Sequence, residues 1–366
     1  MSGLVLGSRP AIALLLLVAL SGTIASTAMV RAQNAELQRV IAGAKSEGGK
    51  LNIINQSVAD PNFINGVAAG MTKRYGFPIT LNIAPGPTPS ALAPQLVQEF
   101  QSNRASSTDI FLGDDVNAMV QVSAGAALEV NWKALDPAVL DEALGPGNQF
   151  LRLASRIIGC VWYNTDLVKP NDVPKTLNDT LNPKWKGRIA STSFIAGFRE
   201  AAGLFGMEKE MIDYLKALEQ SGNLAGFLRG AAAERIASGE FAMMVVGPGE
   251  YSVVKQQKRG APVAFTILQE MPFISYWAMD IPKNSAHPNL AKLFALYMST
   301  REGQDYFYST ASFDLHFMAG SKSAETFRTA FQSITPRLVT NEILTSKWQD
   351  FERVAPALTR AMRGGR

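Results

Sequence analysis

The chain has 366 residues, 47% of them hydrophobic and 18% charged, with a formal net charge of +4, two histidines and one cysteine. That length leaves room for two domains with ample core, and the composition excludes a disordered chain. Lysine and arginine are interspersed with acidic residues throughout, so the basic balance gives no nucleic-acid face. Only Arg360, Arg363 and Arg366 form a locally basic stretch, read as a solvated tail.

Arg9, the ten-residue apolar run Ala11 to Leu20, and the small residues ending in Val30-Arg31-Ala32 have the layout of a secretory signal peptide. Cleavage is expected after Ala32, with Ala28 as the other site. The run is too short to span a bilayer. No cysteine lies near the junction for lipid attachment. Cys160 can form no internal disulfide, so an exported chain of this kind must be stabilised by its core.

Beyond the junction, Leu37, Val40, Ile41 and Ala44 recur at helical spacing until Gly48-Gly49. Leu51 to Ile54 reads as a buried strand, followed by the turn Asn55-Gln56-Ser57. Asp60-Pro61 then caps a helix that ends at Gly76. Ile79 to Ile83 is the next strand, Pro85 to Pro89 a stiff loop, and Ser90 the expected cap of a third helix. Asp109 to Leu112 is a third strand, and Asp114-Asp115 lead the helix after it. Repeated βα units of this kind predict an α/β fold with mostly parallel sheets flanked by helices.

The segment Arg156 to Val168 carries a dense apolar run, Ile157-Ile158 and Val161-Trp162, closed by the turn residues Asn164 and Asp166. The βα alternation starts afresh beyond it. A strand shared by two such units acts as a hinge; taken alone, the segment also fits an ordinary core strand. Arg188 to Ala190 reads as a strand, and Ser191-Thr192-Ser193 as the opening of a helix through Leu204. Lys209 to Ser238 reads as helical, interrupted at Gly222. Phe241 to Val246 is an apolar strand running into Gly247-Pro248-Gly249, and Ala261 to Leu268 another strand. Phe273 to Ile281 would carry the chain back to the first unit. Leu290 to Met298 and Asn341 to Met362 are helical.

Catalytic signatures are missing. There is no G-x-S-x-G elbow, and Gly247-Pro248-Gly249 lacks the third glycine of a dinucleotide fingerprint. In Gly43 to Lys50 the lysine is displaced and Leu51 replaces the hydroxyl of a phosphate loop, so this is a helix terminus. His287 and His316 are far apart, with no cysteine or acidic pair at ligand spacing, so no metal site is expected. Ligands of open α/β sheets sit beyond the carboxyl ends of strands. Gln56, Ser57, Asp114, Asp115, Ser191, Thr192, Ser193, and the stretch from Gly247 and Gly249 to Tyr251 meet that rule. Each alone also fits a cap or a turn; the two aspartates in particular suit N-capping. Phe273, Tyr276 and Trp277 add aromatic surface on the returning strand, or core packing.

Tyr163-Asn164-Thr165, Pro174 to Leu177, Pro183 to Ile189, Gly239 to Ala242, Pro282 to Pro288 and Met298 to Gln304 occur in the order of one known family. In these the chain resembles a periplasmic solute-binding protein of an ABC importer, of the branch with ferric-, thiamine- and polyamine-binding members. The resemblance implies a two-lobed periplasmic-binding-protein type II fold, two crossover strands between lobes, and transient docking on a membrane permease. It places the first lobe at residues 33–158, the second at 159–267, and the return with the C-terminal helices at 268–366. It implies a periplasmic monomer that takes a small polar solute and needs no cofactor. Ferric-binding members place two adjacent tyrosines where this chain has Gly247-Pro248-Gly249, with Tyr251 alone further on. Ferric binding of that type is therefore not expected. The glycines should expose backbone N–H groups to an anion, whereas Asp114 and Asp115 favour an amine; a zwitterion reconciles the two. Two alternatives are kept: a ferric-iron-binding transport protein whose ligands are not a tyrosine pair, and a secreted enzyme on the same scaffold, disfavoured by the missing nucleophile–base pair.

Overall fold

The computed structural model describes residues 35–363 apart from 56, 193–194 and 229–230. The expected signal segment, Gln56 and Ser193 lie outside the described residues. The first run of elements is α1 (35–46), β1 (Lys50–Ile54), α2 (Pro61–Tyr75), β2 (Thr80–Ala84), α3 (Pro89–Gln101), β3 (Phe111–Asp114), α4 (Asp115–Ser123), the short α5 (Trp132–Leu135) and β4 (Phe150–Ile158). Local chemistry sets their ends. The Asp60 side chain accepts from the N–H groups of Asn62 and Phe63, Pro61 occupies the first turn of α2, and Gly76 closes it in the left-handed region. The cap of α3 is Thr88 rather than Ser90, because Pro89 already holds helical geometry one residue earlier.

The second run is β5 (Cys160–Asn164), β6 (Ile189–Thr192), a π-helical turn (Glu200–Leu204), α6 (Glu208–Gln220), β7 (Leu224–Leu228), α7 (Ala232–Ala237), β8 (Met243–Met244), α8 (Tyr251–Gln257) and β9 (Val263–Ile267). Here two expectations change. Ser191 and Thr192 end strand β6 instead of opening a helix. The stretch 209–238 contains β7, because parallel pairing of Leu224–Leu228 with β6 overrides the weak local preference of Leu-Ala-Gly-Phe-Leu. The chain closes with β10 (Phe273–Asp280), α9 (Pro288–Met298), α10 (Arg301–Ala311), α11 (Ala324–Ala330), β11 (Arg337–Leu338) and α12 (Asn341–Met362).

Two lobes result. In the first, β10 lies between β4 on one side and β3 with β11 on the other. The parallel pair β1–β2 is tied to the start of β3 by the Asp109 carboxylate, which accepts Asn52 N–H at 2.7 Å. The second lobe is one sheet in the order β7-β6-β8-β5-β9. The βα units pair in parallel as expected. The crossing strands β4, β5 and β9 pair antiparallel with their neighbours, and β10 pairs antiparallel with β3 and β4 but parallel with β11, so each lobe has a mixed arrangement.

The chain leaves the first sheet at Ile158 and enters the second at Cys160, and only Gly159 lies between. Gly159 has φ +86°, and a Cβ there would stand 2.9 Å from Met271 Cβ and from the Met271 carbonyl oxygen. The crossover therefore needs glycine twice, for its backbone and for the close approach of the returning chain. A third crossing is helical. Leu344 and Phe351 of α12 pack with Leu92, Phe111 and Phe150 of the first lobe. Further along α12, Val354 and Leu358 pack with Phe198, Met211 and Leu215 of the second. Gly203 in the π-helical turn lets the two backbones meet, since a Cβ there would lie 2.4 Å from Phe351 Cα.

Candidate functional site

Between the lobes lies a cleft of about 910 Å³ lined by residues of both. The first lobe contributes Ser57, Thr88, Ser90, Asp114, Asn117 and Trp277. The second contributes Trp162, Glu200, Pro248, Tyr251, Lys255 and Arg259. Its floor is organised by Arg156, a residue of β4 whose side chain is only 3% exposed. Nη1 donates to Asp114 Oδ1 at 2.9 Å and to the Pro248 carbonyl at 3.2 Å, while Nε and Nη2 each donate to Ser275 Oγ at 3.3 Å. Glu200 Oε1 stands 3.9 Å from Nη2. One guanidinium thus joins β3, β4 and β10 of the first lobe to the turn after β8 and the π-helical turn of the second.

Carboxyl groups surround it. Asp115 is fully buried, accepts Ser275 Oγ–H at 3.0 Å, and has its pKa raised to about 6 by burial against the pull of Arg156 and Arg152. Glu250 accepts Ile157 N–H at 2.6 Å, and burial lifts its pKa to about 7. Burial also raises Asp114 and Glu200, again opposed by Arg156. A buried arginine must be paired this way, because removing a charge from water costs several kcal/mol unless partners replace the solvent.

The structure divides the expected site residues. Ser57, Asp114, Tyr251 and Trp277 line the cleft. Asp115 does not, because it faces Ser275 and the interior. Asp114 is the cap residue of α4 but makes no capping bond, being drawn to Arg156, whereas Asp115 Oδ1 accepts the Val116 N–H of the first turn at 2.9 Å. Ser191 and Thr192 are buried in β6 with no hydrogen-bond partner for either hydroxyl among the described residues. Phe273 stacks on Phe205 at 4.1 Å in the core, and Tyr276 lies 4.6 Å under the Arg152 guanidinium. The Gly247 N–H is not exposed to an anion; it donates to the Cys160 carbonyl at 2.8 Å. The glycines serve packing instead, as a Cβ on Gly247 would lie 2.2 Å from Trp162 Nε1 and one on Gly249 2.5 Å from the Tyr251 ring.

The remaining candidates are local. His287 Nδ1 meets Asp109 at 2.9 Å, and His316 Nδ1 meets Ser155 Oγ at 2.7 Å. Burial holds the Cys160 thiol protonated, and its Sγ donates to the Ile157 carbonyl. No group of three or more His, Cys, Asp or Glu side chains that could hold a metal ion occurs among the described residues. Arg156 itself was missed by sequence reasoning. Its signal was one of two charges, Arg152 and Arg156, within Phe150–Ile158, a strand whose other residues suit complete burial.

Residues 67–329 match the family model described as bacterial extracellular solute-binding protein. The chain belongs to that family. The Fe(3+)-binding periplasmic protein of Serratia marcescens is 26% identical over 301 residues, covering 77% of this chain and 83% of the relative. The major ferric iron-binding protein of Neisseria meningitidis is 24% identical over 253 residues, covering 65% and 72%. Among solved structures, iron-bound HitA from Pseudomonas aeruginosa superposes with a TM-score of 0.64 at 20% identity, over 83% of this chain and 99% of the other. AfuA from Actinobacillus pleuropneumoniae, with fructose-6-phosphate bound, gives 0.65 at 18% identity, over 86% and 99%. This solute-binding protein therefore has the two-lobed fold expected for the substrate-binding component of an ABC importer, and its family is one of transport receptors.

Proposed function

We propose that this solute-binding protein captures one small polar solute between its lobes, closes on it, and offers the closed form to its permease without chemical change to the cargo. The observation that carries this reading is a single cleft lined from both lobes, beside crossings at Gly159 and at residues 268–272. A solute touching both walls binds the closed form better than the open one and shifts the population toward it. A near-complete switch needs a differential affinity on the order of 5 kcal/mol, which contacts from one lobe cannot supply. In this reading the lobe boundaries fall at 158/159 and 267/268. Ser57, Asp114, Tyr251 and Trp277 face the solute, and the protein works as a periplasmic monomer after cleavage behind Ala32.

A thermal-shift screen for solutes followed by small-angle scattering tests the reading. The correct solute should raise the melting temperature and reduce the radius of gyration. A tight solute that leaves the scattering unchanged would overturn closure. The names of the relatives make ferric iron the second reading. Against it, Gly247-Pro248-Gly249 supplies no side-chain ligand, and burial with stacking on Phe313 at 4.2 Å keeps the Tyr251 phenol protonated. Ferric citrate should therefore give no visible tyrosinate charge-transfer band. A strong band lost in Tyr251→Phe would reverse the order of the two readings.

A further inference from the structure

The charges of the cleft are sorted along its length. At the floor, Arg156 is committed to protein partners through all three nitrogens, yet two cleft-lining carboxylates share it; Arg199, which also lines the cleft, is held by the Phe351 carbonyl and paired with Glu352. Asp114 takes its hydrogen bond and is a quarter exposed to the cleft. Glu200 keeps only a 3.9 Å contact on Oε1, while its Oε2 accepts Gly197 N–H at 2.6 Å. These two carboxyls thus have one guanidinium between them, and Trp162 and Trp277 line the cleft beside them with aromatic surface that attracts cations.

The wall formed by α8 carries two cations, with one carboxylate beside it, Glu234 of α7, whose Oε1 accepts from Gln256 Nε2 at 2.6 Å. Tyr251 starts this helix with its ring against Gly249, which itself lies beside Arg156 Cβ, so the first turn sits at the floor. Lys255 follows one turn later on the same face, about 6 Å further along the axis at 1.5 Å per residue. Arg259 lies beyond it, in the turn that ends the helix. Both line the cleft, and neither forms an ion pair among the described residues; the Lys255 ammonium donates only to the Thr310 carbonyl at 3.1 Å. Two unpaired cations therefore stand one helical turn and more away from the carboxyls that share Arg156.

We infer that the solute is a short zwitterion, with a primary ammonium held at the floor by Asp114 and Glu200 and an anionic group held by Lys255 and Arg259. The inference rests on the transport reading above and narrows it to a substrate class. A solute oriented this way satisfies both walls, whereas a simple anion is repelled at the floor and a simple amine at α8. Its anion can be a carboxylate or a phosphate, since both suit lysine and arginine.

Titration calorimetry on the mature protein tests it with two matched sets, 2-aminoethyl phosphate, ethyl phosphate and ethanolamine, then 4-aminobutanoate, butanoate and butylamine. At least one of the two doubly charged compounds should bind about tenfold or more tighter than either of its singly charged partners. Asp114→Asn should erase that preference for the ammonium. Lys255→Met, on the cleft wall away from Arg156, should weaken the same compound about tenfold while the unliganded protein melts as before. If neither 2-aminoethyl phosphate nor 4-aminobutanoate binds more tightly than its two partners, or if none of the six binds, the zwitterion is overturned. If ferric citrate or a sugar then closes the protein, the transport reading stands without it. If no solute of any class closes it, the transport reading fails as well.

Discussion

The lobes of this protein are joined at the front by charge and at the back by oil. At the front, Arg156 donates across the boundary to the Pro248 carbonyl at 3.2 Å and Glu250 accepts Ile157 N–H across it at 2.6 Å, while Asp114 and Ser275 hold the guanidinium from its own lobe. At the back, α12 crosses with apolar side chains, Phe351 on one core and Leu358 on the other. Directional bonds specify one geometry, which suits a binding floor. Apolar packing is proportional to area and indifferent to direction, so it tolerates small rotations while keeping the lobes together. The difference shows how one interface can be precise where the solute sits and permissive where the lobes pivot.

Removing the front charge should have the largest effect. Arg156→Met leaves Asp114, Glu200 and the carboxyls behind them without their cation, at a cost of about 3–5 kcal/mol. Urea denaturation checks this, and a loss under 1 kcal/mol would mean that the floor is wetter than its burial indicates. At the back, Leu358→Ala should cost about 2–5 kcal/mol through lost burial and the cavity left behind. The same variant should leave solute affinity nearly unchanged, and a large loss of affinity would show that the back crossing also shapes the floor.

A subtler difference concerns pH. Glu250 has its pKa raised in the folded state, so the folded protein holds a proton there that the unfolded chain has released. The associated stability is present at pH values below about 4.5 and is lost as pH rises through about 7. Glu250→Gln should lack this component, so relative to wild type it should gain stability between those limits. Parallel unfolding free energies for the two proteins at both ends of the window would contradict it. The smallest effect is expected for the exposed ion pair Arg353–Glu208, which links α12 to α6 at 2.7 Å. Arg353→Ala should hardly move the melting temperature, because exposed pairs contribute little. A clear drop would mean that the back crossing depends on charge after all.

Much of the fold was legible in the residues. The βα order of the first lobe, the crossing near Gly159, the return along Phe273–Asp280 and the extent of α12 all follow from patterns carried by neighbouring positions. The site was legible only in part. The strand-end rule marked Asp114 and Tyr251, which line the cleft, yet it also marked Ser191 and Thr192, whose hydroxyls lie inside β6. It could not separate Asp114 from Asp115, since the two are adjacent at the junction of β3 and α4.

The sequence by itself determined where helices start and stop, where the chain must bend through glycine, and which family it belongs to. Those features arise from backbone sterics, capping and periodicity, which act over a few residues. Only the tertiary structure decided that Asp114 looks into the cleft while Asp115 looks into the core, and that the Gly247 N–H is spent on Cys160. It also decided that β7 is a strand, through its pairing with β6. Each of these outcomes depends on a partner distant in the chain, such as Arg156 for Asp114 and Ser275 for Asp115, and a buried charge or N–H turns toward whichever partner the packed lobes bring within reach.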